Sequence, residues 1–129
     1  MVEALKAVLA ADPRIAYALM FGSQATGMSR SDSDVDVAIG LMPSARLETL
    51  DIGRLTSMLE TAAEKQVDLV LLDEAPPGLA YRIFQSGQPI LVRDERALNL
   101  RRASAILEYL DFRPIEELCA RGVLGSDGR

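Results

Sequence analysis

The stretch Ile15-Ala16-Tyr17-Ala18-Leu19-Met20-Phe21-Gly22-Ser23, followed after ten residues by Asp34-Val35-Asp36-Val37-Ala38-Ile39, carries most of the information in this sequence. Its first seven residues form an apolar run that stops at a glycine, the pattern of a buried strand. Gly22 to Ser33 is rich in Gly, Ser, Thr and Asp, so it reads as a loop. Val35, Val37 and Ile39 then alternate with Asp34, Asp36 and Ala38, which is strand periodicity. Side chains two apart on a strand share a face, so Asp34 and Asp36 project together, about 6.6 Å apart by backbone rise. Val35 and Val37 turn the other way, toward a core. Carboxylates this close repel each other unless a cation lies between them. Hard cations such as Mg²⁺ take oxygen ligands, commonly one or two carboxylates plus substrate phosphates.

A second strand supplies another carboxylate. In Val67-Asp68-Leu69-Val70-Leu71-Leu72, Asp68 is the one charge in an otherwise apolar run, so the sequence predicts a buried strand with a functional acid. If this strand neighbours the one carrying Asp36, Asp68 faces the pair at about 5 Å. There it can hold a metal or take a proton from an incoming hydroxyl. Gly22 at a strand end lets a ligand approach the backbone, and Ser23 offers an N–H and a hydroxyl to phosphate oxygens.

Composition narrows the chemistry. The 129 residues fit one compact domain, with 49% hydrophobic and 26% charged residues. The single cysteine, Cys119, has no internal disulfide partner, and the absence of histidine excludes His-based catalysis and ordinary zinc sites. Acid–base or metal chemistry must therefore rest on carboxylates. Net charge is −5, which argues against broad nucleic-acid binding. With no run of 18 apolar residues and an N-terminus interrupted by Glu3 and Lys6, no membrane span or signal peptide is expected, and a cytoplasmic setting follows as the default.

Further along, a helix is predicted over Val2–Ala11, ended by Asp12-Pro13. A second, capped by Ser44, is predicted from about Ala45 to Lys65, with Leu47, Leu50, Leu55, Met58, Leu59 and Ala62 near its apolar face. Pro76-Pro77 starts a third, ending at Gly87, and Ile90 to Val92 is a short strand. A last helix is expected over Glu95 to Leu110. Ala103, Ile106, Leu107 and Leu110 form its core stripe, with Tyr109 and Phe112 at the edge, and Arg101-Arg102 on a solvated face. The sum is an α/β (α+β) domain, a small mixed sheet with helices packed on it.

Gly-Ser, ten residues, then Asp-x-Asp resembles the signature of the DNA polymerase β nucleotidyltransferase superfamily. By ordinary residue frequencies those four positions arise by chance in about one chain in several hundred of this length, so the pattern is specific. The fuller stretch, Phe21 to Gly27 and Asp32 to Ile39, resembles its minimal nucleotidyltransferase (MNT) branch, in which Asp68 falls at the third carboxylate. Asp73-Glu74-Ala75-Pro76-Pro77, Ile83 to Leu91 and Tyr109 to Pro114 are similar to MNT antitoxins paired with HEPN-domain toxins. A departure is Thr26, where many relatives carry an arginine.

The resemblance implies a polymerase β-like nucleotidyltransferase fold over residues 1–115, with 116–129 as a C-terminal tail. It implies Mg²⁺-dependent transfer of AMP from ATP to a tyrosine of a cognate HEPN ribonuclease toxin, which is thereby neutralised. Gly22 and Ser23 would bind the nucleotide phosphates. Asp34, Asp36 and Asp68 would hold metal, with Asp68 also activating the acceptor. Two alternatives stay open, transfer to a small molecule such as an aminoglycoside, and a non-catalytic antitoxin that inhibits by binding alone.

Overall fold

The computed structural model describes residues 1–22 and 34–121, with side chains through residue 110. Among them lie α1 (Val2–Ala10), β1 (Ile15–Phe21), β2 (Val35–Leu41), α2 (Thr49–Ala63), β3 (Val67–Leu71), a 3-10 turn (Leu72–Glu74), α3 (Pro77–Ser86), β4 (Gln88–Val92) and α4 (Glu95–Arg121). The strands form one mixed sheet in the order β3-β2-β1-β4. β1 is antiparallel to β2 and to β4, whereas β2 and β3 are parallel. The parallel pair needs a crossover, and α2 supplies it.

Helices cover both faces. Leu5 and Leu9 of α1 and Leu55, Leu59 and Ala63 of α2 pack with Ile15, Ala18, Met20, Val35, Val37 and Ile39. Ala80 and Ile83 of α3 and Leu98 and Ala105 of α4 pack with Ala16, Tyr17, Leu19 and Ala38 on the other face. Two-sided coverage explains why β1 reads as a continuous apolar run. A register irregularity between Ile15 and Tyr17 turns both Ala16 and Tyr17 toward the α3–α4 face. Opposite Tyr17 stands Gly40, where an added Cβ would lie 2.0 Å from the Tyr17 ring. A side chain there cannot fit without displacing the ring.

Several expectations are corrected. Ser44 does not cap α2. It adopts a left-handed backbone (φ 67°), and the helix starts four residues later than expected, at Thr49. There Glu48 is the cap residue, and its N–H is taken by the Asp51 carboxylate at 2.9 Å. Leu50 and Met58 are 65% and 52% exposed, so they lie outside the core stripe that Leu55 and Leu59 form. α4 continues to Arg121, well past Leu110. Its buried residues are Leu98 and Ala105, while Ala103, Ile106, Leu107 and Leu110 are exposed. Arg101 is not on a solvated face either. Its side chain is 14% exposed, and Nε and Nη2 both donate to the Leu72 carbonyl, at 3.2 and 2.8 Å. Among the described residues no helix is long and apolar enough to cross a membrane.

The α1–β1 corner is fixed by two arginines. Arg14 donates through Nε and Nη2 to the Asp12 carboxylate at 2.9 and 2.8 Å. Arg93, just past β4, donates to the carbonyls of Ala10, Asp12 and Ile15. Arg93→Ala is expected to destabilise the fold by about 1–2 kcal/mol in urea titrations, with Arg93→Lys rescuing only part, because an ammonium cannot reproduce the fork. The Arg14 hydrogen bond holds the Asp12 carboxyl below its ordinary value of 3.8. Ionised Asp12 therefore favours the fold above the unfolded-state pKa, and this contribution is lost as pH falls through the lower, folded one. Asp12→Asn should accordingly flatten the acid limb of a stability–pH profile.

Candidate active site

Two features of β2 set the geometry of the site. β2 lies inside the sheet, so Asp36 has a neighbour on each side, Phe21 of β1 and Asp68 of β3. Residues of even number on β2 and β3 face the side covered by α3 and α4, as Ala38 and Val70 show. By strand alternation Asp36 and Asp68 belong to that same face, at the end of the sheet where β1 terminates and β2 and β3 begin. The register expectation for Asp68 is thereby met: Asp36 and Asp68 are direct partners in the parallel pair.

The burial expectation for Asp68 is not. β3 is an edge strand, Asp68 is exposed, and Leu69 to Leu71 are only half-buried. The continuous apolar run suggested a central strand, but the sheet ends here. Asp34 is also exposed, immediately before β2. Asp36 is half-buried between its neighbours. Its carboxyl is raised above the usual value, first by desolvation and then by the negative charges of Asp68 and Asp34. The three carboxylates thus sense one another.

Gly22 closes the site from the β1 side. It has φ +76°, a left-handed conformation that favours glycine, and an added Cβ would lie 2.4 Å from Asp36 Oδ2. The Asp36 carboxylate therefore rests against the bare backbone at the end of β1. A side chain there would have to displace the carboxylate and hold a strained backbone. Ser23 lies outside the described residues, as do Thr26, Gly27 and Asp32.

Two hydrogen bonds fix the start of β3, one from β2 and one to α2, and the second uses a residue that the sequence did not single out. The Val35 N–H donates to the Gln66 carbonyl at 2.9 Å, and the Val67 N–H donates to Glu60 Oε2 at 3.1 Å. Glu60 sits seven residues earlier, in α2, where an acid on a half-exposed helix face gives no sequence signal. It anchors the residue before Asp68, so it is a positioning residue.

The donor set suits a hard divalent cation. Among the described residues it consists of carboxylate oxygens, and the most enclosed of them, Asp36, holds its proton more tightly than usual, first through desolvation and then through the like charges of Asp68 and Asp34. Among the described residues no three His, Cys, Asp or Glu side chains already converge on one point. The raised Asp36 value has a consequence for stability. A carboxyl with a folded value above its unfolded one weakens the fold once ionised, and this cost vanishes as pH falls through that range. In metal-free protein, Asp36→Asn should therefore raise Tm at neutral pH, and the gain should shrink on acidification, measured by thermal melts across pH.

Comparison with known proteins places this geometry. A chain of a toxin–antitoxin crystal structure with AMP-PNP aligns with TM-score 0.80 at 20% identity, covering 94% of this chain and 96% of that one. A chain from a re-refined structure of a tri-AMPylated Shewanella oneidensis HEPN toxin in complex with MNT antitoxin aligns with TM-score 0.72 at 19% identity, covering 95% and 98%. At these identities the likeness establishes the fold. A solved structure described as a minimal nucleotidyltransferase is 30% identical, with TM-score 0.58, over 68% of this chain and 87% of that one. No curated protein matches the chain significantly. Residues 3–96 match the family model described as polymerase beta, nucleotidyltransferase, a span that contains β1 through β4 and every carboxylate discussed above. The chain belongs to the polymerase beta nucleotidyltransferase family.

Proposed function

We propose that this chain is an antitoxin that transfers AMP from ATP to a tyrosine hydroxyl of a cognate HEPN ribonuclease toxin and so neutralises it. The observation that carries the reading is the contact of the Asp36 carboxylate with the bare backbone of Gly22, directly across from Asp68. It joins a phosphate-accessible backbone to paired carboxylates on the open end of one sheet face. The fold supports the same reading, because it is shared with chains from the AMP-PNP complex and from the complex containing a tri-AMPylated HEPN toxin.

In this reading Gly22 and Ser23 receive the triphosphate. Asp34, Asp36 and Asp68 are the metal-holding side chains. A bound divalent cation, Mg²⁺ being the natural choice with ATP, supplies charge neutralisation between carboxylates and phosphate oxygens. Asp36 is held in place by β1 on one side and β3 on the other, so it would offer the cation a carboxylate oxygen at a fixed position. Asp68, exposed at the sheet edge, accepts the proton of the incoming tyrosine hydroxyl. The tyrosine oxygen bonds to the α-phosphorus, the bond to the β-phosphate oxygen breaks, and pyrophosphate leaves. ATP as donor and an intracellular ribonuclease as acceptor give the reaction a cytoplasmic setting.

With purified cognate toxin, Mg²⁺ and labelled ATP, the toxin should become labelled, and chelation by EDTA should stop it. Asp36→Ala should lower the labelling rate by about three orders of magnitude, the scale of several kcal/mol of lost charge stabilisation. Gly22→Ala should also be impaired, since its Cβ would lie 2.4 Å from Asp36 Oδ2 and push the carboxylate aside. Equal labelling by Asp36→Ala, or toxin inhibition that persists without ATP in an Asp34/Asp36 double variant, would overturn the catalytic reading.

A further inference from the structure

Among the described residues, α4 carries an apolar strip that faces away from the sheet. Leu100, Ala103, Leu107 and Leu110 recur at i, i+3, i+7 and i+10, so at 100° per residue they occupy a strip about 80° wide. Leu98 and Ala105, which bury α4 against the sheet, lie on the opposite side of the helix. Leu100, Leu107 and Leu110 are 59%, 63% and 50% exposed. An apolar face of this kind on a helix is the signature of a partner surface.

A recess lies beside the strip. Tyr81, Phe84, Gln85, Arg102 and Ile106 line a cavity of about 150 Å³ between α3 and α4, and Ile106 joins it to the strip. Its walls are braced. Tyr81 stacks on Tyr109 with centroids 4.1 Å apart and an interplanar angle of 8°. The Arg102 guanidinium lies over Phe84 at 5.8 Å from the ring centroid. A preformed aromatic recess beside an apolar strip is the arrangement that receives an anchoring side chain.

The occupant follows from position and charge. α3 and α4 form the layer on the same sheet face as Asp36 and Asp68. An acceptor protein that reaches those carboxylates from this face lies along these helices. The exposed Leu50 and Met58 belong to α2, which packs on the opposite sheet face, so they cannot serve such an approach. Arg96 is exposed one turn before Leu100 on the strip, and Arg102 borders the recess, so the surface is locally basic on a chain of net charge −5. We propose that the outer surface of α3 and α4 docks the protein acceptor of the AMP group through an apolar helix with an acidic border, and that this docking delivers the tyrosine to the site. The proposal rests on the function proposed above and adds how the acceptor is chosen.

The test compares the intact chain with Leu100→Glu/Leu107→Glu, both at exposed positions, and with Leu50→Glu/Met58→Glu as a matched change on α2. The first variant should raise the KM for purified HEPN toxin about tenfold or more while leaving KM for ATP unchanged. The α2 variant should match wild type in both. A direct titration of toxin without ATP separates this idea from the catalytic one. If wild type transfers no AMP, the catalytic reading fails, but binding that is lost only in the α4 variant still sustains the docking surface. Unchanged toxin affinity in the α4 variant, an equal loss in the α2 variant, or no toxin binding by wild type would overturn it. So would a wild-type dimer that the α4 substitutions dissociate without changing transfer, because a second copy would then be the occupant.

Discussion

β2 is hydrogen-bonded along both edges, antiparallel to β1 and parallel to β3, and this mixed pairing fixes where everything else can stand. Its register puts Phe21 and Asp68 on either side of Asp36. The left-handed turn at Gly22 then carries the chain away just where the Asp36 carboxylate needs room. A slip of one residue would turn the carboxylates toward α1 and α2 and bury them in an apolar layer. The valines of β2, held by Leu55 and Leu59, make that slip costly. Packing on one face therefore guarantees chemistry on the other.

The same pairing creates an electrostatic burden. Asp36 is half-buried beside two other carboxylates, and its proton affinity rises accordingly. Among the described residues, three arginines are committed elsewhere. Arg14 and Arg93 brace the α1–β1 corner, and Arg101 holds the Leu72 carbonyl and pairs with Glu108 at 3.4 Å. Carboxylates gathered this closely repel one another, and a cation placed among them would relieve that repulsion.

The two faces of the sheet differ in what they leave outside. α1 and α2 bury their stripes against the valines of β2, and the residues left over on α2 are few. α3 and α4 bury Ala80, Ile83, Leu98 and Ala105, and keep Leu100, Leu107 and Leu110 in contact with water. The exposed leucines gain nothing from packing on the sheet. The apolar periodicity of α4 was legible in the sequence, but periodicity cannot tell a stripe that faces the sheet from one that faces away. Ala105 and Leu98 settled the direction, and both are weaker signals than three leucines.

The sequence by itself determined the strand that ends at Gly22, the alternation that places Asp34 and Asp36 on one side, and the exclusion of histidine and zinc chemistry. Those conclusions rest on local periodicity and on which atoms are present, and neither needs a fold. Tertiary structure alone decided that β3 lies at the sheet edge, so Asp68 is exposed when a continuous apolar run had suggested burial. It alone decided that Asp36 rests on Gly22, that Glu60 of α2 holds the first residue of β3, and that the α4 strip faces solvent. Each of these depends on which element lies alongside which. Contacts between residues far apart in the chain are set by packing of the whole, and no window of sequence contains them.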